Sequence, residues 1–261
     1  MPELPEVEAA AGRLRRVLSG RRIVALEAHH KSQRRQLPRR EAARVVGRTV
    51  AGIDRRGKHQ LIRLRDGAVL HVHFRLDGDW VFGRTSDPLA GAARVTFDLD
   101  DGTRVSLADP RALCTIRYHP PGRPPLLLLG PEADDPSLTS TVLRTALQKR
   151  RGGIKPALLD QKLVAGIGNI YASESLWRAR IHPAAAASGI GPERAGRLLN
   201  GIRAALADGV ASAERYRSGA RAIPLDVYDR EGKACPRCGG VIRRVVQAGR
   251  STYFCPRCQR R

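Results

Sequence analysis

The chain has 261 residues, of which 42% are hydrophobic, so it has enough apolar side chains for a core and is not a disordered chain. Its 47 Lys and Arg residues outnumber 25 Asp and Glu residues, which gives a formal net charge of +22. This excess favours an anionic partner, with nucleic acid as the first candidate and an anionic membrane surface as the second. The longest leucine run is Leu126–Leu129, far shorter than a membrane-spanning helix requires, which weakens the membrane interpretation.

The first 119 residues predict a β-rich domain that opens with one helix. Apolar residues recur at helical spacing from Val7 to Val17, and Gly20 follows where a helix carboxyl-terminal cap belongs. Asp66-Gly67 and Asp101-Gly102 are typical of tight hairpins. So many short β-patterned runs predict a β-sandwich or barrel. The predicted strands are Ile23–Ala28, Thr49–Asp54, Gln60–Leu64, Val69–Phe74, Trp80–Phe82, Arg94–Asp98, Thr103–Leu107 and Thr115–His119.

The composition and the periodicity of the sequence change after residue 119. Residues 120–136 hold six prolines and predict a linker. Residues 137–229 have helical periodicity and predict a helical domain. Residues 230–261 carry nine basic residues against one acidic residue and contain two C-x-x-C pairs. Four helices are predicted in the helical domain. The first is capped by Ser137 and runs to about Arg150, the second begins at Pro156, and the others cover Ile170–Ala179 and Pro192–Ala207.

The two C-x-x-C pairs indicate a metal site. Cys235 and Cys238 are followed, after sixteen residues, by Cys255 and Cys258, and Val241–Phe254 between the pairs has β-hairpin character. Four thiolates at this spacing suit tetrahedral zinc, whereas a redox dithiol is a poor explanation for two matched pairs in a basic tail. Because all four cysteines are ligands, no coordination position is left open, and the zinc is predicted to be structural. The remaining cysteine, Cys114, lies in a strand-like run and is assigned no role.

The amino terminus carries a second candidate site. Residues 1–8 contain three glutamates and no basic residue, which is unlike a secretory signal, so we expect an intracellular, cytoplasmic protein. Met1 precedes Pro2, a context in which the initiator Met is normally removed. A chain-terminal amine has an unperturbed pKa near ~8 and is partly nucleophilic at neutral pH, and Glu3 beside it could move protons. The alternative is an ordinary helix start, where Pro and early Glu residues are common.

A third candidate is Gly166-Ile167-Gly168-Asn169-Ile170-Tyr171, between two helical segments. It does not fit a dinucleotide-binding fingerprint, because no strand precedes it and Tyr171 occupies the third glycine position. The N–H groups at the start of the following helix, with the Asn169 side chain, could hold a phosphate. An ordinary helix carboxyl-terminal cap followed by an amino-terminal cap explains this stretch equally well.

These features together resemble one protein family. Pro2-Glu3-Leu4-Pro5-Glu6-Val7-Glu8, the helix–two-turn–helix segment Leu163–Leu176 and a carboxyl-terminal four-cysteine finger, in this order, closely resemble the formamidopyrimidine-DNA glycosylase/endonuclease VIII family. The resemblance implies an α+β multidomain protein. Its parts are a catalytic β-sandwich domain with an opening helix (1–119), a Pro-rich linker (120–136), a helical DNA-binding domain (137–229) and a zinc finger (230–261).

The resemblance also implies an activity and a catalytic set. The activity is removal of oxidised bases from duplex DNA through an iminium intermediate, with strand nicking by β,δ-elimination. Pro2 matches the nucleophile, Glu3 the general acid/base, and Lys58 the hairpin lysine that contacts phosphate beside the lesion. The expected partner is damaged double-stranded DNA, bound by a monomer associated with the nucleoid.

Six further residues match DNA-binding positions of the family. Lys155 in Gly153-Ile154-Lys155-Pro156 matches a lysine at the lesion, Asn169 a phosphate-binding asparagine, and Arg250 the finger arginine. Arg111 matches a residue of the wedge that fills the space left by an everted nucleotide. Leu76 and Leu113 stand where family members have Met and Phe, and both could instead be residues of the core.

Another departure concerns substrate. In the formamidopyrimidine branch a long loop before the finger closes over 8-oxoguanine, whereas 210–228, with Ser218-Gly219-Ala220, is short. The resemblance therefore favours hydantoins, formamidopyrimidines, oxidised pyrimidines or abasic sites over 8-oxoguanine. The altered wedge and the short loop would also fit a catalytically impaired damaged-DNA-binding protein, although Pro2 and Glu3 argue against it. A zinc-ribbon ribosomal or transcription accessory protein would explain the charge and the cysteines but not the amino-terminal motif.

Overall fold

The structure, a computed structural model, describes residues 1–217 and 225–260. The chain divides into two compact units, Met1–Pro2 with Glu6–Leu127 and Glu3–Pro5 with Leu128–Arg261. No helix in the described residues is long and apolar enough to span a membrane. The finer four-part division drawn from the sequence stays a prediction.

The first unit contains two four-stranded antiparallel sheets and, from Glu6 onward, helix α1, which covers Leu4–Leu18. The first sheet has the order β1-β6-β7-β5 and the second β2-β3-β4-β8. The strands are β1 Ile23–Ala28, β2 Val50–Arg56, β3 His59–Leu64, β4 Val69–His73, β5 Asp79–Arg84, β6 Ala93–Leu99, β7 Thr103–Ala108 and β8 Thr115–His119. All eight predicted strands are present to within two residues at each end, and two separate sheets make the unit a sandwich rather than a barrel.

Alternation of side chains explains why the two sheets share one core. Ile62 of β3, Leu70 of β4 and Phe97 of β6 are buried and belong to one apolar cluster, to which α1 adds Val7 and Leu14. The helix ends where the sequence predicts, with Gly20 at φ +79°, in the left-handed region that glycine adopts without strain.

The opening helix is present as predicted, but two short helices between β1 and β2 were not expected from the sequence. Helix α2 covers Lys31–Gln36 and helix α3 covers Arg39–Val45. The α2 sequence, KSQRRQ, has no apolar periodicity. Its buried residue is Gln33, whose side-chain amide donates to the backbone carbonyls of Ala112 and Cys114. A helix held by a polar contact gives no hydrophobic signal in the sequence.

Four histidines lie on the outer face of the second sheet and form what we call the histidine ladder: His59, His71, His73 and His119. Nδ1 of His59 and Nε2 of His71 are 2.7 Å apart, at hydrogen-bond distance. Burial, followed by the charges of neighbouring histidines, Arg75, Arg117 and Lys58, lowers the pKa of His59 and His71 to about 4 and that of His73 to about 3. The folded ladder therefore takes up protons only at acid pH.

We predict that the ladder makes the first unit acid-sensitive. The unfolded histidines bind protons below their ordinary pKa of about 6.5, whereas the folded ones do not until about pH 4, so the free energy of unfolding falls as the pH is lowered through this window. His71→Gln should reduce the slope of the free energy of unfolding against pH by an amount that corresponds to at most one bound proton. Urea unfolding at several pH values measures this slope, and the control Leu89→Gln, which changes an exposed residue of the first unit and no titratable group, should leave it unchanged. An unaltered slope in His71→Gln would contradict the prediction.

The second unit is helical and ends in a small hairpin. It contains α4 Ser140–Gln148, α5 Ile154–Leu158, α6 Asn169–Arg178, α7 Pro192–Arg217, β9 Arg243–Gln247 and β10 Arg250–Phe254. Leu147, Ile167, Tyr171 and Leu198 belong to its apolar core.

Three predicted helix bounds in this unit are corrected. Thr139, not Ser137, caps α4, because the Thr139 hydroxyl accepts the N–H of Val142 at 3.2 Å, while the N–H of Ser137 bonds Asp135. Pro156 is the third residue of α5 rather than the first, at a position where its missing N–H has no intrahelical acceptor. Helix α7 continues ten residues past Ala207. The segment Ser218-Gly219-Ala220, on which the short-loop argument rests, lies outside the described residues.

Candidate active site, nucleic-acid interface and metal centre

Glu3 is bound at the amino terminus of α6. Its side chain is 3% exposed, and its carboxylate accepts the N–H groups of Gly168, Ile170 and Tyr171 at 2.7, 2.8 and 3.2 Å. These N–H groups have no intrahelical acceptor, and the positive end of the helix dipole favours an anion there. Of the two interpretations of this segment, the one in which these three N–H groups hold a phosphate does not fit, because the Glu3 carboxylate accepts them. Phosphate binding by the Asn169 side chain stays a prediction.

The two glycines of the Gly166-Ile167-Gly168 segment make this contact possible. A Cβ atom on Gly168 would overlap the carboxylate of Glu3, and one on Gly166 would overlap the side chain of Leu4. The N–H of Leu4 also donates to the carbonyl of Gly166 at 3.1 Å. The glycines are thus needed for close approach of residues 3 and 4, which a reading of the local sequence alone could not detect.

Lys155 is buried close to Glu3 and Asn169. The side chain is 1% exposed, and its ammonium donates to Asn169 Oδ1 at 2.6 Å, to the Ser251 carbonyl at 2.9 Å and to Thr252 Oγ1 at 2.7 Å. These three acceptors match the three protons of an ammonium group. Burial lowers the pKa of Lys155 to about 8, with Glu3 acting against this and Arg250 adding to it.

Asn169, the first residue of α6, bonds both Lys155 and the Ser251 carbonyl to which Lys155 donates. Its side-chain amide donates to the Ser251 carbonyl at 3.0 Å and to the Tyr228 hydroxyl at 3.4 Å. Lys155 and Asn169 thereby hold strand β10 at Ser251, next to Arg250. Arg250 is exposed and follows a two-residue turn in which Ala248 and Gly249 have φ of +48° and +72°.

The remaining predicted site residues belong to the first unit. Pro2 is half-buried ahead of α1. Lys58, 8% exposed, follows Gly57 in the turn between β2 and β3. The Arg55 guanidinium fixes this turn by bonding the Glu8 carboxylate at 2.5 Å and the Gly57 carbonyl at 3.2 Å.

The two loops expected to form the wedge are joined by an ion pair. Arg111 bonds Asp77, the residue after Leu76. The loop of Arg111 is shaped by the buried Asp109 carboxylate, which accepts the N–H groups of Arg111, Leu113 and Cys114. Leu113 is 45% exposed, so it is not a residue of the core, whereas Leu76 is half-buried.

The four predicted cysteines converge at one point. Their sulfurs all lie within 4.8 Å of one another, with 3.9 Å between Cys235 and Cys258 and 3.5 Å between Cys238 and Cys255. Tetrahedral zinc with Zn–S bonds of about 2.3 Å places its sulfurs at nearly these separations. The donor set therefore fits one structural zinc ion.

Trp177 of α6 supports this metal centre from outside. Its indole N–H lies 3.4 Å from the sulfur of Cys235, and the Arg237 guanidinium lies 3.9 Å above the indole ring. Burial raises the pKa of Cys235, but hydrogen bonds from Trp177 and from the N–H groups of Arg237 and Cys238 outweigh it and lower that pKa to about 6. The thiolate that binds zinc is thus favoured by its neighbours.

Two buried polar residues that hold the finger were missed by the sequence analysis. Gln259 accepts the N–H of Cys255 at 2.8 Å and donates to the Ile181 carbonyl at 2.9 Å. Glu174, 2% exposed, accepts the N–H groups of Asp226, Val227 and Tyr228, and burial raises its pKa. Glu174 is the one charged residue between Asn169 and Trp177, and this was the sequence signal available for it, whereas none marked Gln259.

Known domain families and curated proteins match the chain along most of its length. Three domain models match it: the formamidopyrimidine-DNA glycosylase N-terminal domain at residues 1–116, the H2TH domain of the same enzyme at 129–218, and the zinc finger found in FPG and IleRS at 232–261. The formamidopyrimidine-DNA glycosylase of Chloroflexus aurantiacus is 39% identical over 99% of this chain and 98% of its own. That of Roseiflexus sp. is 40% identical over the full length of both.

Solved structures give the same relationship. A Lactococcus lactis formamidopyrimidine-DNA glycosylase bound to DNA with an abasic site has a TM-score of 0.89 and 30% identity, covering 99% of this chain and 100% of that one. A MutM in complex with DNA containing carbocyclic 8-oxo-G has a TM-score of 0.90 and 29% identity, with full coverage of both chains. The predicted fold class and the zinc finger are confirmed.

We predict that Trp177→Phe weakens zinc retention by about tenfold, because it removes the hydrogen bond to Cys235 and keeps the ring. Transfer of zinc to a chromogenic chelator measures the change. Trp80→Phe is the control, since the Trp80 indole bonds Gln60 in the sandwich core. Equal zinc release from both variants would remove Trp177 from the support of the metal centre.

Proposed function

Since the chain belongs to the formamidopyrimidine-DNA glycosylase family, we propose that it excises oxidised bases from duplex DNA and cleaves the resulting abasic site through an imine-type intermediate on Pro2. The observation that carries the proposal is the fixation of the chain's first residues. Chain termini are usually poorly ordered unless they are tied down. Here three hydrogen bonds hold the side chain of residue 3, and a fourth holds the N–H of residue 4.

The chemistry begins with removal of Met1, which leaves Pro2 with a secondary amine. The nitrogen lone pair forms a bond to C1′ of the deoxyribose as the glycosidic bond breaks. The base leaves with the electron pair of the broken glycosidic bond and gains a proton, and the Pro2 nitrogen releases its own proton. Opening of the sugar ring, with proton transfer to O4′, gives an iminium ion. Loss of a C2′ proton then expels the 3′ phosphate, and a second elimination expels the 5′ phosphate. Glu3 is proposed to carry the protons of ring opening and elimination.

The duplex is bound mainly through its phosphates. We assign this role to Lys58 and Arg250, and we keep Lys155 and Asn169 in the DNA-binding set. Hydrogen bonds of the latter two to Ser251 hold the strand that carries Arg250, which supports a positioning role for both. Electrostatic contacts of this kind set affinity and its salt dependence.

The damaged nucleotide has to leave the helix for C1′ to be reached. We propose that Leu76, Arg111 and Leu113 fill the vacated space. The exposure of Leu113 and the Arg111–Asp77 ion pair, which joins the two loops, support this assignment. The proposed first substrates are formamidopyrimidines, the lesions after which the family is named, and abasic sites.

We predict that borohydride traps a covalent complex between the protein and a duplex with an abasic site, and that Pro2→Gly reduces it at least tenfold because the secondary amine is lost. Pro5→Gly, the same change within α1, is the matched control and should retain trapping. Intact-mass analysis should first find the protein without Met1, since an acylated Pro2 nitrogen cannot attack. Tight binding without any adduct would instead establish a damaged-DNA-binding protein that lacks catalysis.

We predict that Arg250→Ala weakens binding to a duplex with a stable abasic-site analogue and reduces the slope of log K against log salt by about 0.9, because one phosphate contact is lost. Fluorescence anisotropy at several salt concentrations measures both quantities. Arg243→Ala, an exposed arginine at the other end of the hairpin, is the control. An equal change in both variants would mean that Arg250 contributes only general positive charge.

A further inference from the structure

The groove beside strand β1 has features that the proposed DNA chemistry does not use. Strand β1 is at the end of its sheet, with β6 on one side. Five consecutive residues of this strand, Val24–Ala28, line a groove of about 630 Å³. Consecutive residues of a strand point to opposite faces, so a groove that touches all of them lies along the backbone edge of the sheet.

The hydrogen bonds of β1 show which backbone groups face this groove. The N–H of His29 donates to Arg94 of the region that pairs with β1. Because antiparallel pairing alternates, the N–H and C=O groups of Leu26 and Ala28 point away from β6. The Ala28 carbonyl is taken by the Arg34 side chain at 2.9 Å, and both backbone groups of Ile23 bond residues 47 and 48. Leu26, between these two covered points, presents its N–H and C=O to the groove.

The opposite wall of the groove is apolar and its surroundings are basic. Leu37, Pro38, Ala42, Ala43 and Val46 form the wall, and Val24 and Val46 are 46% and 41% exposed. Residues 24–46 carry six basic side chains against two acidic ones, Glu27 and Glu41. An edge strand with unpaired backbone groups is a template for a further strand, and the positive surroundings favour an acidic one.

We propose that this groove binds a short, extended, acidic segment of a partner protein, which adds to the sheet as a strand next to β1. Backbone hydrogen bonds to Leu26 would supply part of the affinity. Apolar side chains at alternate positions would lie against the α3 wall, and acidic side chains between them would face the arginines. The site is an interaction surface distinct from the residues assigned to catalysis and DNA binding.

The test uses the full chain and three fluorescein-labelled six-residue peptides. The first alternates Val and Asp, the second has the same sequence with alternate backbone amides N-methylated, and the third replaces Asp with Lys. Anisotropy should show binding of the first peptide and at least tenfold weaker binding of the other two. Exchange of the Leu26 amide should slow when the first peptide is bound. Because the N-methylated peptide keeps every side chain, its comparison isolates the backbone pairing on an unaltered protein.

A variant locates the site. Ala43→Trp should fill the groove and lower the affinity of the Val-Asp peptide at least tenfold, whereas Ala204→Trp, at an exposed position of α7, should not. Equal binding of the methylated peptide, unchanged exchange at Leu26, or no binding at millimolar concentration would overturn the proposal. Displacement of the peptide by duplex DNA, with an equal loss of DNA affinity in Ala43→Trp, would also overturn it, because the groove would then be a nucleic-acid surface.

Discussion

The carboxylate of Glu3 at the amino terminus of α6 is the contact on which the proposed active site depends. A buried N–H group left without an acceptor costs about 1–3 kcal/mol, and Glu3 accepts three of them. The helix in turn provides the positive potential that a buried carboxylate requires. Because Glu3 directly follows Pro2, this contact fixes the segment next to the proposed nucleophile.

The same helix also organises the carboxyl-terminal finger. Asn169 and Lys155 bond Ser251, Glu174 bonds residues 226–228, and Trp177 contacts Cys235. Within the described residues, the apolar cluster at the finger has six buried members, of which Trp177 and Val227 lie outside the finger itself. These are too few to hold a hairpin by hydrophobic burial alone. Metal coordination and fully bonded polar groups replace the missing core. Helix α6 is thus the common support of Glu3 at one end and of the zinc centre at the other.

The sequence predicted those features whose signals are local. Period-two alternation with Asp-Gly turns located the strands of the sandwich, and cysteine spacing located the metal ligands. Contacts between distant residues left no such signal: Glu3 and Gly168 are 165 positions apart, and Gln259 and Ile181 are 78 apart. For this reason the sequence left a phosphate site and an ordinary helix cap as equally good interpretations of the N–H groups of α6, and gave no indication of Glu3. Helix α2 was missed for a related reason, because its packing depends on the side-chain amide of Gln33 rather than on an apolar pattern. Pro2 was identifiable because a family motif, rather than periodicity, marks it.

The large number of arginines does not by itself show which of them bind a partner, because some arginines bond the protein's own backbone. Several arginines are used inside the protein: Arg94 donates to the carbonyls of Asp109 and Pro110, and Arg203 to those of Ala133 and Leu138. A guanidinium offers five donors in a rigid fork, so one side chain can satisfy two loop carbonyls that lack secondary-structure partners. Such residues keep their positive charge and add to the long-range attraction for an anionic polymer, yet two donors of each are already bonded to the protein itself. Net charge therefore indicates the class of partner, while exposure and hydrogen bonding decide which arginines, such as Arg250, remain available to touch it.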